Sequence, residues 1–286
     1  MTASPPASSA SSSAASAPDS SPAALARIAA RVAVETGALI AELRGRGVAI
    51  AASKSSSVDI VTEADRAAER LIVSELRAAR PEDGVLGEEG TGIDGRSPVT
   101  WVVDPIDGTV NYLYGIPAYA VSIAATVRDE TAYADGRRPI AGAVYNPCTG
   151  ELFDAWAGGG ARLNGDPIAV TGLSDLSSAL VGTGFGYTAE RRAEQAQMVS
   201  RLLPLARDIR RMGSAALDLC SLAAGRLDAY YELGLQPWDY AAGVLIAEEA
   251  GAAIIGRDDA TRPGTPFLFA GAPTLVEQLR TVVLGA

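Results

Sequence analysis

The stretch Trp101-Val102-Val103-Asp104-Pro105-Ile106-Asp107-Gly108-Thr109 puts two carboxylates three positions apart, then a glycine and a threonine. Like charges this close repel unless a cation joins them, and oxygen ligands of this kind suit magnesium. Gly108 lets the backbone come close to a ligand. The N–H groups of Gly108 and Thr109 would then face whatever the metal holds, and clustered amides favour phosphate. The stretch reads as a metal–phosphate site. The plain alternative is an acidic helix start with an Asp cap, so neighbouring segments must supply more ligands. A short strand over 85–89 would bring Glu88 to the same place and turn Glu89 away.

What is missing narrows the chemistry. The 286 residues contain no histidine, which rules out a Ser-His-Asp triad, His-ligated zinc and phosphohistidine. Cys148 and Cys220 have no metal-ligand spacing; the default is two buried thiols in a reduced, cytoplasmic chain, with a disulfide left open. No Gly-x-x-x-x-Gly-Lys-Ser/Thr motif occurs. The net charge of −10 argues against direct nucleic-acid contact. An acidic chain handling phosphate needs local cations, and bound metal ions would supply them. No apolar run is long enough to span a membrane.

The elements that must position these residues follow from hydrophobic period. Val99–Val103 reads as a buried strand that Pro105 should stop near Asp104, and the two carboxylates would share a face only in a turn or a helix start. Residues 1–22 are nearly all Ser, Ala and Pro, without the features of a secretion signal, and read as a disordered tail. Residues 23–286 form the folded region. Its first half, 23–165, begins with helices over 22–46 and 63–79, the second with a Thr62 cap and Asp65 as acidic partner. Tyr112 and Tyr114 pack around a short helix, and a meander of strands follows at about 119–127, 139–145 and 151–156. The Gly158-Gly159-Gly160 triplet reads as a plain turn. The second half, 166–286, alternates strands near 178–183, 207–211, 227–232, 252–255 and 266–270 with helices near 189–203, 214–224, 238–250 and 273–281. This alternation implies a mixed α/β fold, with helices between two sheets in a layered α/β/α/β/α sandwich. Gly213-Ser214-Ala215-Ala216 opens one helix, as an anion site or a Ser-capped start. Asp239 opens another, where the simple reading is a carboxylate complementing the helix dipole.

Together with Gly87-Glu88-Glu89-Gly90, Gln236-Pro237-Trp238-Asp239-Tyr240-Ala241-Ala242-Gly243 and the lead-in Lys54 to Asp65, the central stretch resembles the inositol monophosphatase family over roughly residues 23–285. Tyr230-Tyr231-Glu232 and the 213–216 segment match its substrate side. The resemblance implies the same layered sandwich of the sugar phosphatase type. It implies Mg2+ ions, about two or three per site, with Mn2+ as a substitute and Li+ as an inhibitor. Glu88, Asp104 and the Ile106 carbonyl would hold one ion; Asp104, Asp107 and Asp239 would hold a second; Asp65 would reach a third, weaker ion through water. Glu88 and Thr109 would take the proton of an attacking water, making Glu88, Thr109 and Asp104 the catalytic set. Gly108 and Thr109 would bind phosphate. Gly213, Ser214, Ala215, Glu232 and Asp239 would meet the polyol. Lys54 matches a basic position beside the site. A homodimer is implied on the same ground.

The expected reaction is hydrolysis of a myo-inositol monophosphate, a small-molecule phosphomonoester. Fructose 1,6-bisphosphate, histidinol phosphate and 3′-phosphoadenosine 5′-phosphate are rival substrates. A second phosphate would want a basic pocket, for which Arg191-Arg192 or Arg210-Arg211 are candidates. A different class of reading makes the chain a partner in transcription or RNA processing.

Overall fold

Three layers of helix enclose two layers of sheet, as the alternation of elements implied. The structure, a computed structural model, describes residues 19–46, 50–53 and 60–285. Lys54, the side chain of Thr62 and most of the serine-rich tail lie outside the described residues.

Helix α1 (Pro22–Gly45) starts at Ser21, whose hydroxyl accepts from the Ala24 N–H at 3.3 Å, with Pro22 in the first turn, where its missing N–H is harmless. Strands β1 (Ile50–Ser53) and β2 (Ile60–Thr62) pair antiparallel before α2 (Glu63–Ala79). Leu25, Ala29, Val32 and Ile40 of α1 and Ala68, Ile72 and Leu76 of α2 are buried at helical spacing. Next come β3 (Gly84–Gly87), β4 (Gly92–Ile93), β5 (Val99–Asp107), the short α3 (Thr109–Tyr114), β6 (Ala120–Arg128), β7 (Arg137–Asn146), β8 (Glu151–Trp156), β9 (Ala161–Leu163) and β10 (Asp166–Pro167). The remaining elements are β11 (Leu180–Thr183), α4 (Ala189–Leu202), β12 (Asp208–Arg210), α5 (Ala215–Ala223), β13 (Ala229–Leu233), α6 (Pro237–Glu249), β14 (Ala253–Ile255), β15 (Phe267–Gly271) and α7 (Pro273–Leu284).

Among the described residues, besides the two-stranded β1-β2 pair, one large sheet has the order β10-β9-β8-β7-β6-β5-β3-β4 and a second the order β12-β11-β13-β15-β14. The meander is antiparallel, while β3 runs parallel to β5. Three cores fill the spaces between layers. The first sheet meets α1 and α2 around Trp101, Ile123 and Ile72. Its other face meets α5 and α6 around Phe153, Leu219 and Ile246, with Tyr230 and Leu268 of the second sheet closing the same core. The outer face of the second sheet meets α4 and α7 around Phe269, Leu275 and Met198. Helix α6 is apolar nearly all round because it is covered on both sides.

Two expectations are corrected. Tyr112 is buried and donates its hydroxyl to the Ile40 carbonyl at 2.9 Å, but Tyr114 is exposed. Both cysteines are free thiols, and only Cys220 is buried; Cys148 is exposed because it sits in the β7–β8 turn, its N–H donating to Asn146 Oδ1. The glycine triplet is a turn, as expected, with Glu249 accepting from the N–H groups of Gly158 and Gly160 at 2.8 Å.

Candidate active site

Strand β5 does not stop at Asp104. It continues through Asp107, and the reason is a bulge. Asp104 lies opposite Ser122 and Asp107 opposite Ala120, so three steps on β5 match two on β6. In a regular strand, side chains three apart face opposite sides. The extra residue restores a common side, and both carboxylates line one pocket of about 350 Å³. Pro105 occupies the bulge, where its missing N–H removes no ladder bond. The Ile106 N–H donates to Asp104 Oδ1 at 3.0 Å and braces the bulge from within.

Gly108 follows with φ of +94°, and a Cβ there would lie 2.9 Å from the Ala118 carbonyl oxygen, so only glycine fits. Thr109 opens α3 and donates its hydroxyl to the Ile106 carbonyl at 3.1 Å. Asn111 Nδ2 bridges the carbonyls of Ala118 and Met212, at 2.7 and 2.8 Å, which ties α3 to the loop bearing Gly213.

Other segments converge on this turn. Glu88 enters from the loop after β3. Buried Glu69 on α2 holds that loop, accepting from the N–H groups of Glu89 and Thr91 at 2.8 and 3.2 Å and from the Thr91 hydroxyl at 2.5 Å. Asp239 accepts from the Gln236 N–H at 2.7 Å, so it caps α6 and lines the pocket together. Ser214 donates to Asp107 Oδ2 at 2.6 Å, as does the Ala216 N–H at 2.7 Å. Glu232, near the end of β13, receives the Tyr230 hydroxyl at 2.6 Å.

Of the residues singled out in the sequence, Glu88, Asp104, Ile106, Asp107, Gly108, Thr109, Gly213, Ala215, Glu232 and Asp239 line the pocket. Ser214 stands behind the wall and acts through Asp107. Asp65 is buried in the first turn of α2, outside the described pocket lining. It lies beside Tyr112, whose hydroxyl is pushed up to about 12 by burial first and by the Asp65 charge second. Sequence reasoning missed the loop Gly184–Tyr187 and the turn Leu233–Leu235, which complete the wall. Strands β11 and β13 are parallel neighbours, and ligands gather beyond the carboxyl ends of such strands, which is the signal that could have found them.

The pocket is strongly acidic. Burial raises Asp104 well above the carboxylate range, and the charges of Glu88, Asp107 and Asp239 add to this; Asp104 and Glu88 are close enough to share a hydrogen bond. Asp239 is raised by burial, then by Glu88 and Asp107. Burial lifts Asp107 to about 6 against the pull of Ser214 and Ala216. Burial lifts Glu232 to about 7, with Tyr230 and Arg211 pulling the other way.

This donor set fits a hard divalent cation. It consists of carboxylate and carbonyl oxygens, and a cation would relieve the repulsion that now favours protonation. Among the described residues no three Asp, Glu or Cys side chains form a closed coordination cluster. Instead Asp104, Asp107 and Asp239 each turn an oxygen to a local donor and open onto a shared pocket.

The chain is similar to known proteins over most of its length. The model of the inositol monophosphatase family matches residues 22–282. The Inositol-1-monophosphatase SuhB of Mycobacterium tuberculosis is 46% identical over 244 residues, 82% of this chain and 81% of that protein. The Nus factor SuhB of Vibrio cholerae is 43% identical over 229 residues, 79% of this chain and 83% of that protein. The solved structure of Mycobacterium tuberculosis SuhB superposes with a TM-score of 0.77 at 44% identity, covering 93% of this chain and 98% of that one.

Proposed function

We propose, for a chain that belongs to the inositol monophosphatase family and is a phosphatase of that superfamily, that it hydrolyses myo-inositol monophosphate to myo-inositol and phosphate with Mg2+. One observation carries the reading. Glu88, Asp104, Asp107 and Asp239 come from three distant segments and open onto one pocket beside the backbone of Gly108 and Thr109.

Glu88, Asp104, the Ile106 carbonyl, Asp107 and Asp239 would hold the ions, with Asp65 reaching the site through water. Bound Mg2+ supplies positive charge to the phosphoryl oxygens and acidifies water. The amides of Gly108 and Thr109 bind and orient the phosphoryl group. Glu88, with the Thr109 hydroxyl as relay, accepts the proton of the water that adds to phosphorus. Glu232 accepts from polyol hydroxyls, the backbone of Gly213 and Ala215 contacts the ring, and Ser214 keeps Asp107 in place. Mn2+ replaces Mg2+ and Li+ inhibits. The protein acts as a cytoplasmic homodimer. No helix among the described residues is long and apolar enough to cross a membrane.

A panel of phosphomonoesters assayed with Mg2+ tests this reading, with inositol 1-phosphate expected among the best substrates. Turnover that persists in EDTA would contradict it. A Li+ titration against Mg2+ and sedimentation velocity test the inhibitor and the dimer.

A second reading is favoured by the name Nus factor borne by the Vibrio cholerae relative. Here the chain binds a transcription complex through protein contacts. A pulldown that recovers transcription factors equally with wild type and with Asp104→Asn supports it; recovery of none removes it.

A further inference from the structure

A second cavity, of about 450 Å³, opens on the first sheet away from the candidate active site, and the two linings share no residue. Strand register explains where it lies. Leu86 is opposite Val102 of β5 and shares its face, as does Thr100 two residues earlier. Thr100 is opposite Thr126, so Arg128, two residues on, joins that face. Arg128 in turn lies directly opposite Arg137 on β7. Farther along, Val102 and Ala124 carry the same face into the core with α5 and α6. Near the start of β5 it borders the cavity instead. Gly92 of the edge strand β4, opposite Leu86, puts no side chain in the way.

Like charges directly opposite on neighbouring strands repel, and the chain has 34 acids against 24 bases with which to neutralise them. It does so for the next residue, where Arg138 Nη2 pairs with Asp129 Oδ2 at 2.6 Å. Arg128 reaches only Glu130, at 3.6 Å and with both side chains exposed, a pairing that contributes little. Arg137 is in no salt bridge among the described residues; Asp135, which feels its charge, takes the Tyr240 hydroxyl. Asp94, exposed to solvent, is the one acid in the described lining.

The other walls are mixed. Leu86 and Pro98 offer apolar surface and Thr100 a hydroxyl. The size suits a small organic molecule. A carboxylate has two oxygens, which one guanidinium fork takes up. A phosphate dianion has three, enough to bridge two forks by charge-assisted bonds. We propose that this cavity binds a small organic phosphate, its phosphate between Arg128 and Arg137 and its body along Leu86 and Pro98. The site stands apart from the metal–phosphate pocket and does not depend on the phosphatase reading.

Titration calorimetry of phenylphosphonate into the full-length chain in EDTA tests this. The probe carries a C–P bond, so it is not a phosphomonoester, and without metal ions the acidic pocket repels it. Wild type is expected to bind phenylphosphonate about tenfold or more tightly than benzoate. Arg128→Gln and Arg137→Gln should each weaken that binding by about tenfold or more, while Arg137→Lys keeps part of it because charge remains and the fork is lost. A Cβ on Gly92 would meet no atom within 4 Å, so Gly92→Leu fits the fold and should weaken binding by occupying the cavity. Arg211→Gln, in the other pocket, should change nothing. No saturable binding by the wild type overturns the site, and benzoate bound equally well overturns its assignment to phosphate. Binding that survives both Arg128→Gln and Arg137→Gln but is lost in Arg211→Gln places the probe in the active-site pocket and overturns the proposal as well.

Discussion

The hydroxyl of Ser214 lies 2.6 Å from Oδ2 of Asp107 and donates to it, although the two residues are 107 positions apart. Asp107 ends the bulged strand of the first sheet. Ser214 caps α5 in the middle layer, accepting from the Leu217 N–H at 3.3 Å. One side chain therefore stops a helix from fraying and fixes the rotamer of a pocket carboxylate. The Ala216 N–H reinforces the contact at the same oxygen, at 2.7 Å, so the helix N-terminus faces a negative charge.

Ser214→Ala should lose both bonds of the hydroxyl. The expected loss of stability is about 1–2 kcal/mol, and kcat should fall by about tenfold as Asp107 gains freedom. Ser214→Thr keeps the hydroxyl and should recover most of both. Urea unfolding and steady-state kinetics on the three proteins check this; an Ala variant with wild-type kcat would show that the bond does not position Asp107.

Asp104→Asn should reduce turnover by about 10²–10³ or more while the fold persists. Asp104 sits among three other acids whose charges all disfavour its own. Asparagine brings no charge into that cluster and its Oδ1 can still accept from the Ile106 N–H, so the Tm measured in EDTA should not drop. Circular dichroism and a phosphate-release assay separate the two effects. A large fall in Tm would instead mark Asp104 as a structural residue.

Much of this was legible in the chain. The helical period of α1 and α2, the meander and the alternating second half each follow from short-range patterns, and the structure keeps them nearly at the expected bounds. A strand end pointed Glu88 at Asp104 and Asp107, but the grouping of Asp239 with them depended on family resemblance, since nothing local to Asp239 distinguishes a helix cap from a pocket residue; it is both. The bulge was hidden because Pro105 reads locally as a strand end, whereas pairing with β6 carries the strand onward. The Gly184–Tyr187 wall was hidden because its position depends on β11 lying parallel to β13, a long-range fact. Glu69 was hidden for the same reason: on α2 it looks like a solvent-facing acid until the loop after β3 folds over it.

Behind the site, Asp83 joins Arg80, Ser97 and Trp101 in a buried network. It accepts from Arg80 Nε at 2.9 Å, the Ser97 hydroxyl at 2.6 Å and the Trp101 indole at 3.0 Å. Asp83→Ala would leave the Arg80 charge buried and the indole N–H unpaired. The expected destabilisation is about 3–5 kcal/mol, read as a lower urea midpoint at constant slope. A loss under about 1 kcal/mol would mean that water replaces the carboxylate there.

Glu232 should make stability depend on pH in a direction opposite to that of a salt-bridged acid. Its carboxyl is raised to about 7 from the ordinary 4.5, first by burial. The fold therefore favours its protonated form. Its contribution is fully present below about pH 4.5 and is lost as pH rises through 7. Glu232→Gln stays neutral and can still accept from the Tyr230 hydroxyl. In EDTA the variant should gain on wild type by about 2–3 kcal/mol between pH 4.5 and 8. Denaturant melts of both proteins across that range decide it. A constant difference would mean that Glu232 ionises alike in the folded and unfolded chains, and a gain by wild type would mean that the pocket holds it charged.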